Sequence, residues 1–146
     1  MVAQDPGPLT AAASTALGKG MNDPEGTMHD DTHNRNRGLL AHHVALEAAA
    51  LALQLAGNIP APMRSLADQV VRSASSVPAN LAEGAGRVGR DRKHHWRIAY
   101  GSALEVGSHL ELLNRVGAVD AVQARKAIEL FDRVRALTWR LIHPKR

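Results

Sequence analysis

Six residues, Trp96, Ala99, Ala103, Val106, Leu110 and Leu113, follow one another at spacings of 3, 4, 3, 4 and 3. That repeat holds one stripe of side chains on a single helical face, and a long helix buries such a stripe only against other helices. Strand formers are scarce and aromatic residues make up 3% of the 146 residues, while alanine dominates a 45% hydrophobic share. A core of Ala, Leu and Val with few rings to fill wide gaps needs closely approaching helices. The fold class expected is all-α.

Three further seams accompany the first. A helix over about 39–56 carries Leu40, Val44, Ala48, Leu51 and Leu55, closed by Gly57 and Asn58. A second, about 60–86, carries Met63, Leu66, Val70, Ala74, Val77 and Leu81, with Pro60 and Pro62 suited to its first turn. Pro78 falls inside that seam, which continues beyond it, so a kink is expected and not a stop. The third helix spans about 90–116, thinned by Gly101 and Gly107 and ended by Gly117. The fourth, about 120–142, starts at Asp120 as N-cap and carries Ala127, Leu130, Val134, Leu137 and Leu141, flanked by Phe131 and Trp139. Four helices with short connections imply an antiparallel up-down four-helix bundle over 38–143. Residues 1–37 are rich in Gly, Pro, Asp and Asn without a sustained apolar period, and a disordered tail is expected there.

Several classes of function are set aside by composition. No cysteine is present, which excludes a disulfide framework, a thiolate nucleophile and Cys-ligated zinc. No apolar run long enough to suggest a membrane span is read, and the N-terminus lacks the pattern of a signal peptide, so a cytoplasmic protein is expected. No Ser-His-acid spacing stands out. The Glu-x-x-His pairs of a di-iron bundle are missing, and Glu105 with His109 or His43 with Glu47 would be weak substitutes. His29, His33, His42 and His43 read as solvated, and no metal or other cofactor is expected. A metal-binding bundle enzyme is the weakest reading.

Charge is uneven. Residues 1–38 hold five acidic and three basic side chains, net −2, whereas 39–146 hold nine acidic and fifteen basic ones, net +6. The basic excess gathers at the joint between the second and third helices, in Arg87, Arg90, Arg92, Lys93, His94, His95 and Arg97, with Asp91 as local offset. Cations near a helix N-terminus oppose the usual dipole preference, and phosphate is their natural partner, so these seven residues are the expected nucleic-acid-binding group. Beside them, Asn80, Glu83 and Arg87 share a face at i, i+3 and i+7. Arg72, Asn80, Glu83, Ser102 and Glu105 are expected to form a structural polar network across the joint. Trp96 takes a core position. Further apolar residues at Ile98, Leu104, Leu112, Ile128 and Ile142 suggest a second buried face and a homo-oligomer.

The run Gln69, Arg72, Ala74, Ser76, Val77, Pro78, Ala79, Asn80, Leu81, Ala82, Glu83, Gly84, Gly86 and Arg87 resembles the motif of the S23-type family, proteins encoded in intervening sequences of bacterial 23S rRNA genes. Ala99, Gly101, Ser102 and Glu105 match its second motif, and the resemblance covers roughly 45–142. Val71 departs from it, standing where the family has the first of two arginines. The resemblance implies a four-helix bundle assembled into a ring-like homopentamer, with no enzymatic activity. Accessory proteins of diversity-generating retroelements share the architecture and bind nucleic acid and a reverse transcriptase. The function expected is thus a non-enzymatic self-assembling scaffold that binds RNA or DNA through phosphate contacts. The alternative is a protein–protein interaction module docking an acidic partner.

Overall fold

The computed structural model describes residues 26–145, with side chains described from 32 onward, and all of its regular structure is helical. The four helices are α1 (Gly26–Ala56), α2 (Arg64–Ala85), α3 (Gly89–Arg115) and α4 (Ala121–Ile142), with a 3-10 turn at Ala61–Met63 before α2. Each helix packs on its chain neighbours, and α4 returns to α1. Connections this short reverse the chain direction each time, which closes an up-down-up-down square.

Individual caps explain the boundaries. Proline fixes φ without an N–H to lose, so Pro60 and Pro62 favour the tight 3-10 turn, and α2 begins at Arg64. The helix then runs through Pro78. At the end of α3, Gly117 adopts φ +68°, the left-handed conformation glycine accepts without strain. Its N–H bonds the Asn114 carbonyl and the Ala118 N–H reaches back to Leu113, a complete Schellman closure. Asp120 caps α4, its Oδ1 accepting from Gln123 N at 2.8 Å. Replacing Asp120 by Ala should lower stability by about 1 kcal/mol, read as an earlier urea midpoint at unchanged slope.

The α3 stripe is buried at all six expected positions. In α4 the buried stripe is Ala124, Ala127, Phe131, Val134, Thr138 and Leu141, so Phe131 and Thr138 occupy its centre and Leu130 and Leu137 its edges. Thr138 is tolerated there because its hydroxyl donates to the Val134 carbonyl at 2.8 Å.

α1 departs furthest from expectation. It begins at Gly26 and not near residue 39, so 26–37 belong to a helix; the rest of the expected tail, 1–25, lies outside the described residues. Its core face is alanine: Ala41, Ala45, Ala48, Ala49, Ala52 and Ala56 are buried with Val44 and Leu55. Leu39, Leu46 and Leu53, seven residues apart, face outward at 70%, 49% and 41% exposure, and Leu40 is exposed beside them. The segment Thr32–Ala56 is also long and apolar enough to cross a membrane by length and composition, contrary to the sequence expectation. In the fold it is a wall of the bundle, packed on α2 and α4.

The expected surplus of apolar residues divides in two. Ile142 is buried and Ile128 packs against the core, whereas Ile98, Leu104 and Leu112 are exposed on α3. Gly101 and Gly107 have nothing within 4 Å of where a Cβ would stand, so neither mediates a close helix approach within the chain. Gly84 does. A Cβ there would lie 2.5 Å from Trp96 Cδ1 and 3.1 Å from the Arg92 carbonyl oxygen.

Candidate nucleic-acid interface

The α2–α3 joint is built on that close approach. Trp96 lies against the backbone of Gly84, which holds the start of α3 tightly to the end of α2. Gly89, at φ +57°, supplies the left-handed residue that turns the chain into α3. Arg87, in the connection, reaches both ways: Nε donates to Glu83 Oε1 at 2.9 Å, Nη2 bonds the same oxygen, and Nη1 lies 3.3 Å from Asp91 Oδ2. Hydrogen bonding to Arg87, reinforced by its charge, holds the Glu83 carboxyl below the usual carboxylate range, and Arg87 is raised in turn. The Arg87 carbonyl accepts from Arg92 Nε at 2.6 Å, and the Arg92 guanidinium lies 5.7 Å from the centre of the Trp96 ring.

Across the α2–α3 seam runs a half-buried polar chain. Ser102 Oγ donates to Ser76 Oγ at 2.9 Å, and Asn80 Nδ2 donates to the Ser76 carbonyl at 2.9 Å and approaches its Oγ at 3.1 Å. His95 Nδ1 lies 3.1 Å from Asn80 Oδ1, a bond in which the imidazole N–H donates to the amide oxygen. His95 Nε2 faces Asp91 at 3.9 Å.

This arrangement redistributes the residues expected from sequence. Of the structural five, Asn80 and Ser102 form the interhelix chain, with Ser76 and His95 as members the sequence reading did not place there. Glu83 belongs to the Arg87 brace. Arg72 is exposed on α2, and Glu105 pairs within α3 with His109 at 3.5 Å, so neither joins the chain. The spacings 76/80 on α2 and 95/102 on α3 were the signal available for it.

The seven expected nucleic-acid contacts separate likewise. Arg87 is neutralised by two carboxylates, Arg92 is half-buried over Trp96, and His95 is tied to Asn80. Arg90, Lys93, His94 and Arg97 are exposed, and Arg90, Lys93 and Arg97 make no ion pair among the described residues. Their spacing of 3 and 4 places these three on one outward face of α3.

Topology enlarges the patch beyond what sequence order shows. The N-terminal part of α1, the α2–α3 joint and the C-terminal end of α4 share one end of the bundle, which adds Arg35, Arg37, Arg140 and Lys145. Near them Trp139 is 52% exposed, with the His143 ring 3.9 Å and the Tyr100 ring 5.9 Å from its own. Among the described residues no group of three or more His, Asp or Glu converges as metal ligands would.

A profile of the family described as 23S rRNA-intervening sequence protein matches residues 39–140. The fold is similar to the crystal structure of a protein of unknown function from the S23 ribosomal protein family of Bacteroides thetaiotaomicron VPI-5482. The two share 23% identity at a TM-score of 0.66, over 73% of this chain and 97% of that one. No curated protein matches the sequence.

Proposed function

The chain belongs to the 23S rRNA-intervening sequence protein family, and from that premise we propose that it is a non-enzymatic, self-assembling cytoplasmic scaffold whose basic end holds the phosphate backbone of RNA or DNA. The observation that carries this reading is the outward row Arg90, Lys93 and Arg97, without an ion pair among the described residues, on α3 at an end to which α1 and α4 also contribute cations. Unpaired arginine and lysine on a rigid helix suit phosphate contact. Binding of this kind weakens with salt as counterions are retained by the free strand, and it reads bases little.

Assembly into a ring-like oligomer, a pentamer by family likeness, is supported by the leucines that α1 leaves outside. Leu39, Leu46 and Leu53 form a stripe seven residues apart on a helix whose other face is already buried, and Ile98, Leu104 and Leu112 add exposed apolar area on α3. Residues so spaced are covered in the manner of a coiled-coil seam. Replacing Leu46 and Leu53 together by Glu should leave helicity intact and shift the mass seen by light scattering to that of one chain.

Fluorescence anisotropy with labelled single- and double-stranded RNA and DNA, over several salt concentrations, tests the binding. Changing Arg90, Lys93 and Arg97 together to Ala should weaken binding steeply and reduce the slope of log K against log salt by about two to three, at roughly 0.7–0.9 for each phosphate no longer neutralised. Wild-type binding by that variant would remove the assignment. An absence of binding by the native protein at low salt would favour docking of an acidic protein partner.

A further inference from the structure

Between the N-terminal part of α1 and the α2–α3 joint lies a cleft of about 610 Å³, within the size range of small-molecule sites. Its walls include Leu39, Leu81, Ala85 and Val88, its cationic groups are Arg35 and Arg92, and no acidic side chain lines it among the described residues. Arg92 is held in place: its Nε is engaged by the Arg87 carbonyl and its guanidinium lies near the Trp96 ring, while its Nη groups form no ion pair among the described residues. The cleft exists because α1 extends back to Gly26; a helix starting at Leu39 would leave it without one wall.

We propose that this cleft binds a small organic anion with an apolar body, the body lying between α1 and α2 and the anionic group meeting Arg35 and Arg92. The commitment to an anion rests on charge complementarity, since the cleft carries two guanidinium groups and no carboxylate among its described side chains. The commitment to an apolar body rests on the aliphatic walls, which a bare phosphate would leave wet. The site does not include the outward row of Arg90, Lys93 and Arg97, and although Arg35 belongs to the same basic end, Ala85→Trp leaves every cation in place and so separates cleft binding from nucleic-acid binding.

The test is a fluorescence titration of the full-length protein with 8-anilinonaphthalene-1-sulfonate, an aromatic sulfonate that brightens on leaving water. Saturation at one probe per chain is expected. Ala85→Trp, which fills the cleft from an exposed helix end, should weaken binding at least tenfold, and Arg35→Ala should weaken it several-fold. Both variants should melt as the native protein does. Competition by decanoate or by adenosine monophosphate then distinguishes an acyl from a nucleotide body, and displacement by either supports the site. Wild-type probe affinity in Ala85→Trp, equal displacement by uncharged decanol, or displacement by neither anion would overturn it. So would loss of assembly in Ala85→Trp, which would place a neighbouring chain in the cleft.

Discussion

Replacing Phe131 by Ala should cost about 3–5 kcal/mol, a large share of the ~5–15 kcal/mol that holds a domain of this size together. Phe131 is the only phenylalanine and is 1% exposed at the centre of the α4 stripe. The rest of the buried core is mostly Ala, Val and Leu, with Trp96 as its one other buried aromatic ring among the described residues. Alanines on the facing helices have no side-chain freedom with which to fill the void, so the cavity should persist. A fall in melting temperature of roughly 10–20 °C is expected. A loss below about 1 kcal/mol, of the order seen for substitutions outside the core, would show that α4 is not packed as described.

Gly84→Ala should destabilise as well, and its sign is more informative than its size. Inside an exposed helix the same change is stabilising by up to about 1 kcal/mol, because alanine has the better helix propensity. At Gly84 the new methyl would sit 2.5 Å from Trp96 Cδ1 and 2.6 Å from Nε1, with the Arg92 backbone at 3.1 Å behind it. Trp96 is buried and cannot retreat without moving α3. The expected cost is about 1–3 kcal/mol, with a change in tryptophan emission as the Trp96 ring is displaced. Gly101→Ala, in open space on α3, is the matched control and should be neutral or stabilising. Stabilisation by both would mean that the α2–α3 approach is looser than the geometry at Gly84 requires.

The difference between α3 and the other helices explains how much of the fold was legible. The α3 stripe was readable in full because its six apolar residues keep an unbroken alternation of three- and four-residue steps, even with Ile98, Leu104 and Leu112 exposed beside it. In α4, Thr138 hid the centre of the stripe, since a hydroxyl satisfied within its own helix counts as polar in a pattern although it packs as apolar. In α1 the usual assumption that leucine is inside and alanine indifferent fails. Close packing on α2 and α4 admits mainly methyl groups and leaves Leu39, Leu40, Leu46 and Leu53 outside. The extension 26–38 carries His, Asn, Arg and Asp with no apolar period, and only its packing beside the joint distinguishes it from a tail.

The candidate site was legible as composition and not as geometry. That cations cluster between Arg87 and Arg97 is evident from the letters. Which of them are already answered by Glu83 and Asp91, and which by a backbone carbonyl, depends on how the connection folds back on itself. His95 illustrates the point. Its place among basic residues suggested a phosphate contact, yet its position seven residues before Ser102 places it on the α2-facing side, where Asn80 takes it.

The collection of cations at one end of the bundle also makes the molecule lopsided in an electric field. Approaching a polyanion, such a particle is turned before it is touched and arrives end-first, so capture selects an orientation as well as a partner. Cyclic symmetry relates copies by rotation about one axis, and the long axis of every copy then makes the same angle with it. A ring with the bundles standing along that axis would gather the charged ends into a single annulus, with the opposite face left free for other contacts. A dimer related by a twofold across the bundle axis would set the two ends back to back and present a polyanion-binding surface at each pole. On the proposed function, the symmetry of assembly would decide whether the protein is a clamp with one face or a bridge with two.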